Sequence, residues 1–383
     1  MASGCSVLQP EKRHSPAEIA AYTTADFLAP IASSAGELAA RNAANSKIQE
    51  AISLPVGVDP NNILPGALWN IGFLNVEKAA GLQLVRNALP TLTEKDASYQ
   101  RGILSAAYTH YAAETAPEIQ TLLARIATPR EFAIAAYTLQ RADDSPAMRE
   151  FILATMRNVF TNWQIEPRLI RLNQVLNADL RQVLANRPPL IDLLRHSYGA
   201  GKPVVFSFQR QDRQRFWSGS RAWRRWQFVR NADGTIFNVA HLAMPLPIAR
   251  HHHQWQHAGR AFTIIGAGTA TNKWIGPTPY LESQIPVEAT LAAFAHSEDK
   301  NQNPWTDAAY EAFLPQSWRG YWPFKEALLA GQAGRNEMLL HGTTINSDYY
   351  RGASFYPGTP SAGCLVAMEY WSKDMVDCLK AIS

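Results

Sequence analysis

Two side chains of this 383-residue chain can form a nucleophile and its base: Cys364 and His341. Cysteine is the uncharged side chain with a measurable thiolate fraction at neutral pH, and a neighbouring imidazole raises that fraction. The stretch from His341 to Cys364, "HGTTINSDYYRGASFYPGTPSAGC", is rich in Gly, Ser, Thr and Tyr. An apolar run precedes it and the apolar Leu365 and Val366 follow it. The order strand, histidine, glycine-rich loop, Gly-Cys, apolar residues lets two chain-distant groups meet at adjacent strand ends. Gly363 allows the backbone to come close to a substrate carbonyl, and its amide with that of Cys364 can donate to a developing oxyanion. The same spacing also fits a buried cysteine and a surface histidine at a strand end, with no chemistry between them.

His341-Gly342-Thr343 followed by Ser361-Ala362-Gly363-Cys364-Leu365 resembles the active-site signature of the L,D-transpeptidases, the YkuD-like family. There a His-Gly or His-Ser pair precedes a segment of the form Ser/Thr-x-Gly-Cys-apolar. The resemblance implies a β-rich catalytic fold and a bacterial enzyme that attacks the amide after a meso-diaminopimelate or similar residue of a peptidoglycan stem. On that likeness Cys364 is the nucleophile and His341 its general base. Gly342 supplies the backbone carbonyl that orients the imidazole, the role a carboxylate has in a Ser-His-Asp arrangement. Ser361 braces the loop, and the Gly363 and Cys364 amides form part of the oxyanion hole. Transfer of the acyl group to an amine makes a cross-link or a lipoprotein attachment, and transfer to water makes a carboxypeptidase or endopeptidase.

Three departures from the family pattern stand out. His341 and Cys364 are 23 positions apart, several more than is usual, which implies an insertion around "YYRGASFYP". Ala362 replaces a common histidine. The apolar-Arg pair that usually follows the cysteine is Leu365-Val366, so the substrate end of the site needs another cation. Arg351, beside Tyr350 in the insertion, is the candidate for that contact. The likeness covers the last part of the chain well, the preceding β region loosely and the N-terminal half not at all.

The elements that must position these residues read as two kinds. Ser15-Pro16-Ala17-Glu18 and Thr128-Pro129-Arg130-Glu131 place a hydroxyl at the N-cap, proline at N1 and glutamate at N3, a reciprocal helix start. Thr115-Ala116-Pro117-Glu118 repeats the theme with proline one place later. "PVGVDPNNILP" reads as a loop. Beyond Pro146, Ile152, Met156, Val159, Phe160 and Trp163 recur at helical spacing, and after Pro167 so do Leu169, Leu172, Leu176, Leu180, Val183 and Leu184, with Arg168, Arg171 and Arg181 mostly on the other face. Around Pro188-Pro189 the texture changes. "KPVVFSF", "RAFTIIGAG" and "NEMLLHG" read as strands, and "RRWQFVRNADGTIFNVAHLAM" as two strands joined at Asp233-Gly234. "PWTDAAYEAFL" and "FKEALLAG" read as brief inserted helices. The expected fold class is therefore two-domain α+β: a helical domain over 1–199, then a mostly β, L,D-transpeptidase-like domain over 200–383 with helical insertions.

Composition narrows the function classes. A net charge of +4 is only mildly basic and suits an anionic wall polymer or no polyanion at all. "RFWSGSRAWRRWQFVR" interleaves arginines with Trp217, Trp223 and Trp226. Such a pattern suits glycan strands and stem-peptide carboxylates better than nucleic acid, which is not expected as a partner. Trp318 and Trp322 are candidates for the same groove, with core packing as the equal alternative. His251-His252-His253 points in different directions on any regular backbone, so no metal and no cofactor is expected. Cys5, Cys364 and Cys378 exclude a disulfide scaffold. No apolar run approaches a membrane span and no secretory signal is visible. Ala2-Ser3-Gly4-Cys5 matches the tail of a lipoprotein processing site, which would attach lipid at Cys5 and place the protein in the periplasm or elsewhere outside the cytoplasm. Besides cysteine-dependent acyl transfer or hydrolysis, two other functions fit: a non-catalytic wall-binding or envelope-assembly protein, and a peptidoglycan-targeting toxin.

Overall fold

The computed structural model describes residues 34–74, 76–198, 204–207, 217–224, 227–236, 238–242, 261–270, 278–297, 304–336, 338–342 and 364–367. One compact unit holds Arg41–Asn186, and a second holds Arg187–Pro245 and Trp255–Ser383.

The first unit is built from α1 (Ser34–Ile52) from Arg41 onward, α2 (Leu64–Leu74), α3 (Lys78–Ala88), α4 (Ala97–His110), α5 (Ala112–Leu122), α6 (Pro129–Ala142), α7 (Pro146–Val159), α8 (Pro167–Asn177) and α9 (Leu180–Ala185). One apolar cluster runs through them from Ile48 and Leu68 by way of Ile103, Phe132 and Ile152 to Leu176. Ile152 and Met156 of α7 and Leu169, Leu172 and Leu176 of α8 point into it, as their spacing requires. Asp179 then starts α9 by accepting from the Arg181 and Gln182 amides, so the apolar stripe is split between two helices. Arg171 is buried too, although its spacing sets it on the helix face away from those leucines.

Helix starts differ from the sequence patterns in instructive ways. Thr128 makes no capping bond at the head of α6; Glu131 pairs instead with Arg101 Nη1 at 2.9 Å. Thr115 lies inside α5, where its hydroxyl donates to the Tyr111 carbonyl at 2.7 Å, and Pro117 is accommodated within that helix. Ser145 does cap α7, accepting from the Met148 amide. The proline-rich loop ends where Asp59 accepts from the Ile63 and Leu64 amides. Ser15 to Glu18 lies outside the described residues.

The second unit carries α10 (Leu190–Arg195) and strands β1 (Val204–Ser207), β2 (Trp217–Arg224), β3 (Gln227–Phe228), β4 (Asn238–Leu242), β5 (Thr263–Ala270), β6 (Thr278–Gln284), β7 (Met338–Gly342) and β8 (Leu365–Ala367). Between β6 and β7 come α11 (Leu291–Phe294), α12 (Asp307–Glu311) and α13 (Glu326–Gln332). The sheet order is β1-β2-β4-β8-β7-β6-β5, with β3 on β2. All pairs are antiparallel except β7 with β8. The turn at Asp233-Gly234 is present: Gly234 has φ +83°, and Asp233 accepts from the Thr235 amide.

The expected fold class, a two-domain α+β chain ending in a mostly β L,D-transpeptidase-like domain, is contradicted. The described residues are largely helical. Strands account for fewer than half of the residues described after Arg187. The helical insertions expected at "PWTDAAYEAFL" and "FKEALLAG" run on through 304–336, where Tyr310, Leu314 and Trp318 recur every fourth residue and pack with Phe324 and Leu328. That period makes helical turns and a local apolar cluster, whereas a strand needs alternation. Among the described residues no helix is long and apolar enough to cross a membrane.

Candidate active site

β8 lies between β4 and β7, so it joins the β1-β2-β4 half of the sheet to the β7-β6-β5 half. Cys364 immediately precedes this joining strand, and His341 belongs to β7 beside it. The parallel register pairs Leu340 with Leu365, His341 with Val366 and Gly342 with Ala367. Parallel neighbours cannot be joined by a tight turn, and the long interval between His341 and Cys364 gives the chain length a crossover needs.

Side chains alternate between the faces of a strand. The face that carries His341 therefore carries Val366 opposite it and, one pleat earlier, Cys364. The two residues are diagonal neighbours on adjacent strands, a relation that places Cα atoms roughly 7–8 Å apart and lets a ring-sized side chain span the gap. Both are buried, each 7% exposed. The sequence dictates this locally: in "MLLHG", Leu339 and His341 share one face and Leu340 takes the other.

Two further residues share that face. Tyr280 of β6 is directly opposite His341, and Glu282 is opposite Leu339. On the far side of β6, Gly268 faces Tyr280 and Gly266 faces Glu282. A Cβ on Gly268 would come within 2.8 Å of the Tyr280 hydroxyl, and one on Gly266 would lie 3.8 Å from Glu282 Oε2. Both β6 side chains thus lie over bare backbone of β5, on the side away from His341. Sequence reading did not single out Tyr280 or Glu282, which lie in "TPYLESQ", a run that opens with proline. The signal that could have found them is the Gly-x-Gly at 266 and 268, one strand face without side chains beside a strand with large ones.

The remaining site residues expected from sequence are scattered or undescribed. Gly342 ends β7. Trp223 lies in β2, paired with Val204 and Phe228, and β2 is separated from β7 by β4 and β8. Trp318 is a core residue, 3% exposed, with its indole N–H donating to the Pro189 carbonyl at 3.0 Å and its ring edge-on to Tyr321 and Phe324. Its apolar face is therefore used in packing and offers no surface to a sugar. Trp322 opens a 3-10 turn and is half-buried. Ser361, Gly363, Arg351, Tyr350 and Cys5 lie outside the described residues, as do Cys378 and His251 to His253. Among the described residues no group of His, Cys, Asp and Glu is placed to hold a metal ion.

No protein-family model, no curated protein and no solved structure matches this chain.

Proposed function

We propose that the protein is a cysteine-dependent acyltransferase or hydrolase acting on peptidoglycan stem peptides through a thioester at Cys364. The observation that carries the reading is the shared sheet face of His341 and Cys364 on adjacent parallel strands. The substrate class rests on the likeness of the His-Gly and Ser-x-Gly-Cys segments to the L,D-transpeptidase signature. In this reading His341 takes the Cys364 proton and the thiolate adds to a stem-peptide carbonyl. The imidazolium returns the proton to the leaving amine as the tetrahedral adduct collapses to the thioester. An amine or water, deprotonated by the same imidazole, then releases the acyl group and restores the thiol. A substrate of this kind lies in the bacterial envelope, so the reading includes an extracytoplasmic location and a lipid anchor at Cys5. Val366 opposite His341, where the signature carries arginine, favours a second reading: a wall-binding protein that keeps the residues without turnover.

The test is mass spectrometry of the protein incubated with purified stem peptides and disaccharide-peptides. An acyl adduct on Cys364 is expected, absent in Cys364→Ala and formed about a hundredfold more slowly in His341→Ala. Binding of the fragments with no adduct at any time would replace the enzymatic reading by the wall-binding one.

A further inference from the structure

We propose that Glu282 is a specificity residue of the Cys364 face, its carboxylate receiving a primary ammonium on the peptide whose carbonyl reaches the sulfur. The proposal rests on the reading of Cys364 as the reacting thiol. Glu282 is opposite Leu339, and the β7–β8 register continued by one residue puts Cys364 on the other side of Leu339. The three form one row across β6, β7 and β8, all on the same face. Two interstrand spacings separate Glu282 from Cys364, roughly 9–10 Å between backbones.

The setting of the carboxylate points to a cationic guest. It is half-buried and lies over Gly266, where the neighbouring strand offers no side chain. Among the described residues no ion pair includes it. A half-buried charge is costly without a counter-charge, and a strand position otherwise suits a β-branched residue. The reach matters as well. A cation held two strands from the sulfur is too distant to be the amine leaving the scissile bond. It suits the ammonium at the end of a substrate side chain, and the charge orients the peptide without entering the reaction.

The experiment reads the potential at Cys364 without needing turnover. Methanethiosulfonate reagents bearing a trimethylammonium, a sulfonate or no charge are reacted with the full chain at low ionic strength. The cation-to-anion rate ratio should fall about fivefold in Glu282→Gln, as expected for removing one charge at this range. Glu282→Asp should keep most of the ratio, and Glu150→Gln, an exposed change in the helical unit, should leave it alone. If His341→Ala does not slow the uncharged reagent, the reading of the pair falls, while the ratio still reports on Glu282. In the substrate arm, acetylating the ammonium of a stem peptide should lower kcat/KM about tenfold or more in the wild type and hardly at all in Glu282→Gln. A charge ratio unchanged by Glu282→Gln, or an acetylation penalty that survives that substitution, would overturn the proposal.

Discussion

The helical unit and the sheet differ in how much of what they bury is apolar. From Ile48 to Leu176 the helices enclose one continuous apolar cluster, with Phe132, Ile103 and Leu172 at zero exposure. In the sheet the buried positions include Thr263, Tyr280, Ser283, His341 and Cys364, while Leu281, Leu340 and Leu365 are only half-buried. Apolar burial stabilises, and polar burial costs free energy unless each group finds a partner. Here an imidazole and a thiol hold buried positions where the two halves of the sheet meet, and each engages a neighbour there. The helical unit also buries polar groups, Glu131 and Arg171 among them, but within one continuous apolar cluster.

That contrast is open to a direct test, and its largest expected effect is in the helices. Phe132 is fully buried on α6 and meets Phe160 edge-on at 5.1 Å. Phe132→Ala should lower the unfolding free energy of the helical unit by about 3–5 kcal/mol. Leu281→Ala, half-buried in β6, should cost about 1–2 kcal/mol. Urea unfolding followed by circular dichroism for helix loss and by Cys364 accessibility for the sheet gives both numbers. Equal penalties would erase the distinction between the two regions.

A smaller effect is expected where a helix of the second unit meets a strained loop. A Cβ on Gly331 of α13 would overlap the Pro286 carbonyl oxygen and come within 3.3 Å of Val287 Cβ. Val287 is β-branched at φ 77°, a conformation that persists only when its surroundings fix it. Gly331→Ala should displace that loop and destabilise by about 1–3 kcal/mol, with faster amide exchange at Ile285 to Ala289 and little change in the helical unit. Unaltered exchange there would mean that the loop gives way freely and that the packing is looser than the strain at Val287 implies.

How much of this was legible in the sequence depended on whether one short range of residues settled each question. Apolar residues three and four apart marked α7 and α8, and "MLLHG" marked β7, because local spacing alone fixes which side faces inward. Glu131 was not of that kind. Its destination is Arg101, thirty residues away, and no local pattern distinguishes that ion pair from a capping box. Arg171 was set by spacing on the face away from the leucines, yet that position is buried as well. The second half was expected to be mostly β from its alternating and apolar runs, with helices only at "PWTDAAYEAFL" and "FKEALLAG". The period of Tyr310, Leu314 and Trp318 decides for helical turns. For the candidate site, the two end members could be read from their motif. Tyr280 and Glu282 carry no motif of their own; the Gly-x-Gly at 266 and 268 hints at large neighbours, but the sheet order that brings β6 beside β7 is encoded in no sequence interval.

The smallest expected effect lies in the helical part of the second unit and depends on pH. Glu311 accepts from Lys325 Nζ at 2.8 Å and from the Gly320 amide at 2.9 Å. The Lys325 hydrogen bond holds its carboxyl below the ordinary range; desolvation opposes this and the Gly320 amide assists it. A carboxyl depressed in the fold contributes stability that is fully present above its unfolded pKa and is lost as pH falls through its folded value. The two side chains are about one-fifth exposed, 22% for Glu311 and 21% for Lys325, so solvent screening keeps the contribution modest. Glu311→Gln should therefore cost about 0.5–1.5 kcal/mol at pH 7, and the gap between variant and wild type should close as pH falls below the ordinary carboxylate range. Lys325 remains paired with Asp307 at 2.7 Å in the variant, which limits the loss to one arm of the network. Urea titrations of both proteins at pH 7 and pH 3 measure the gap. A gap of the same size at both pH values would assign the effect to packing at the α12–α13 contact, and the ionic account of that corner would have to be given up.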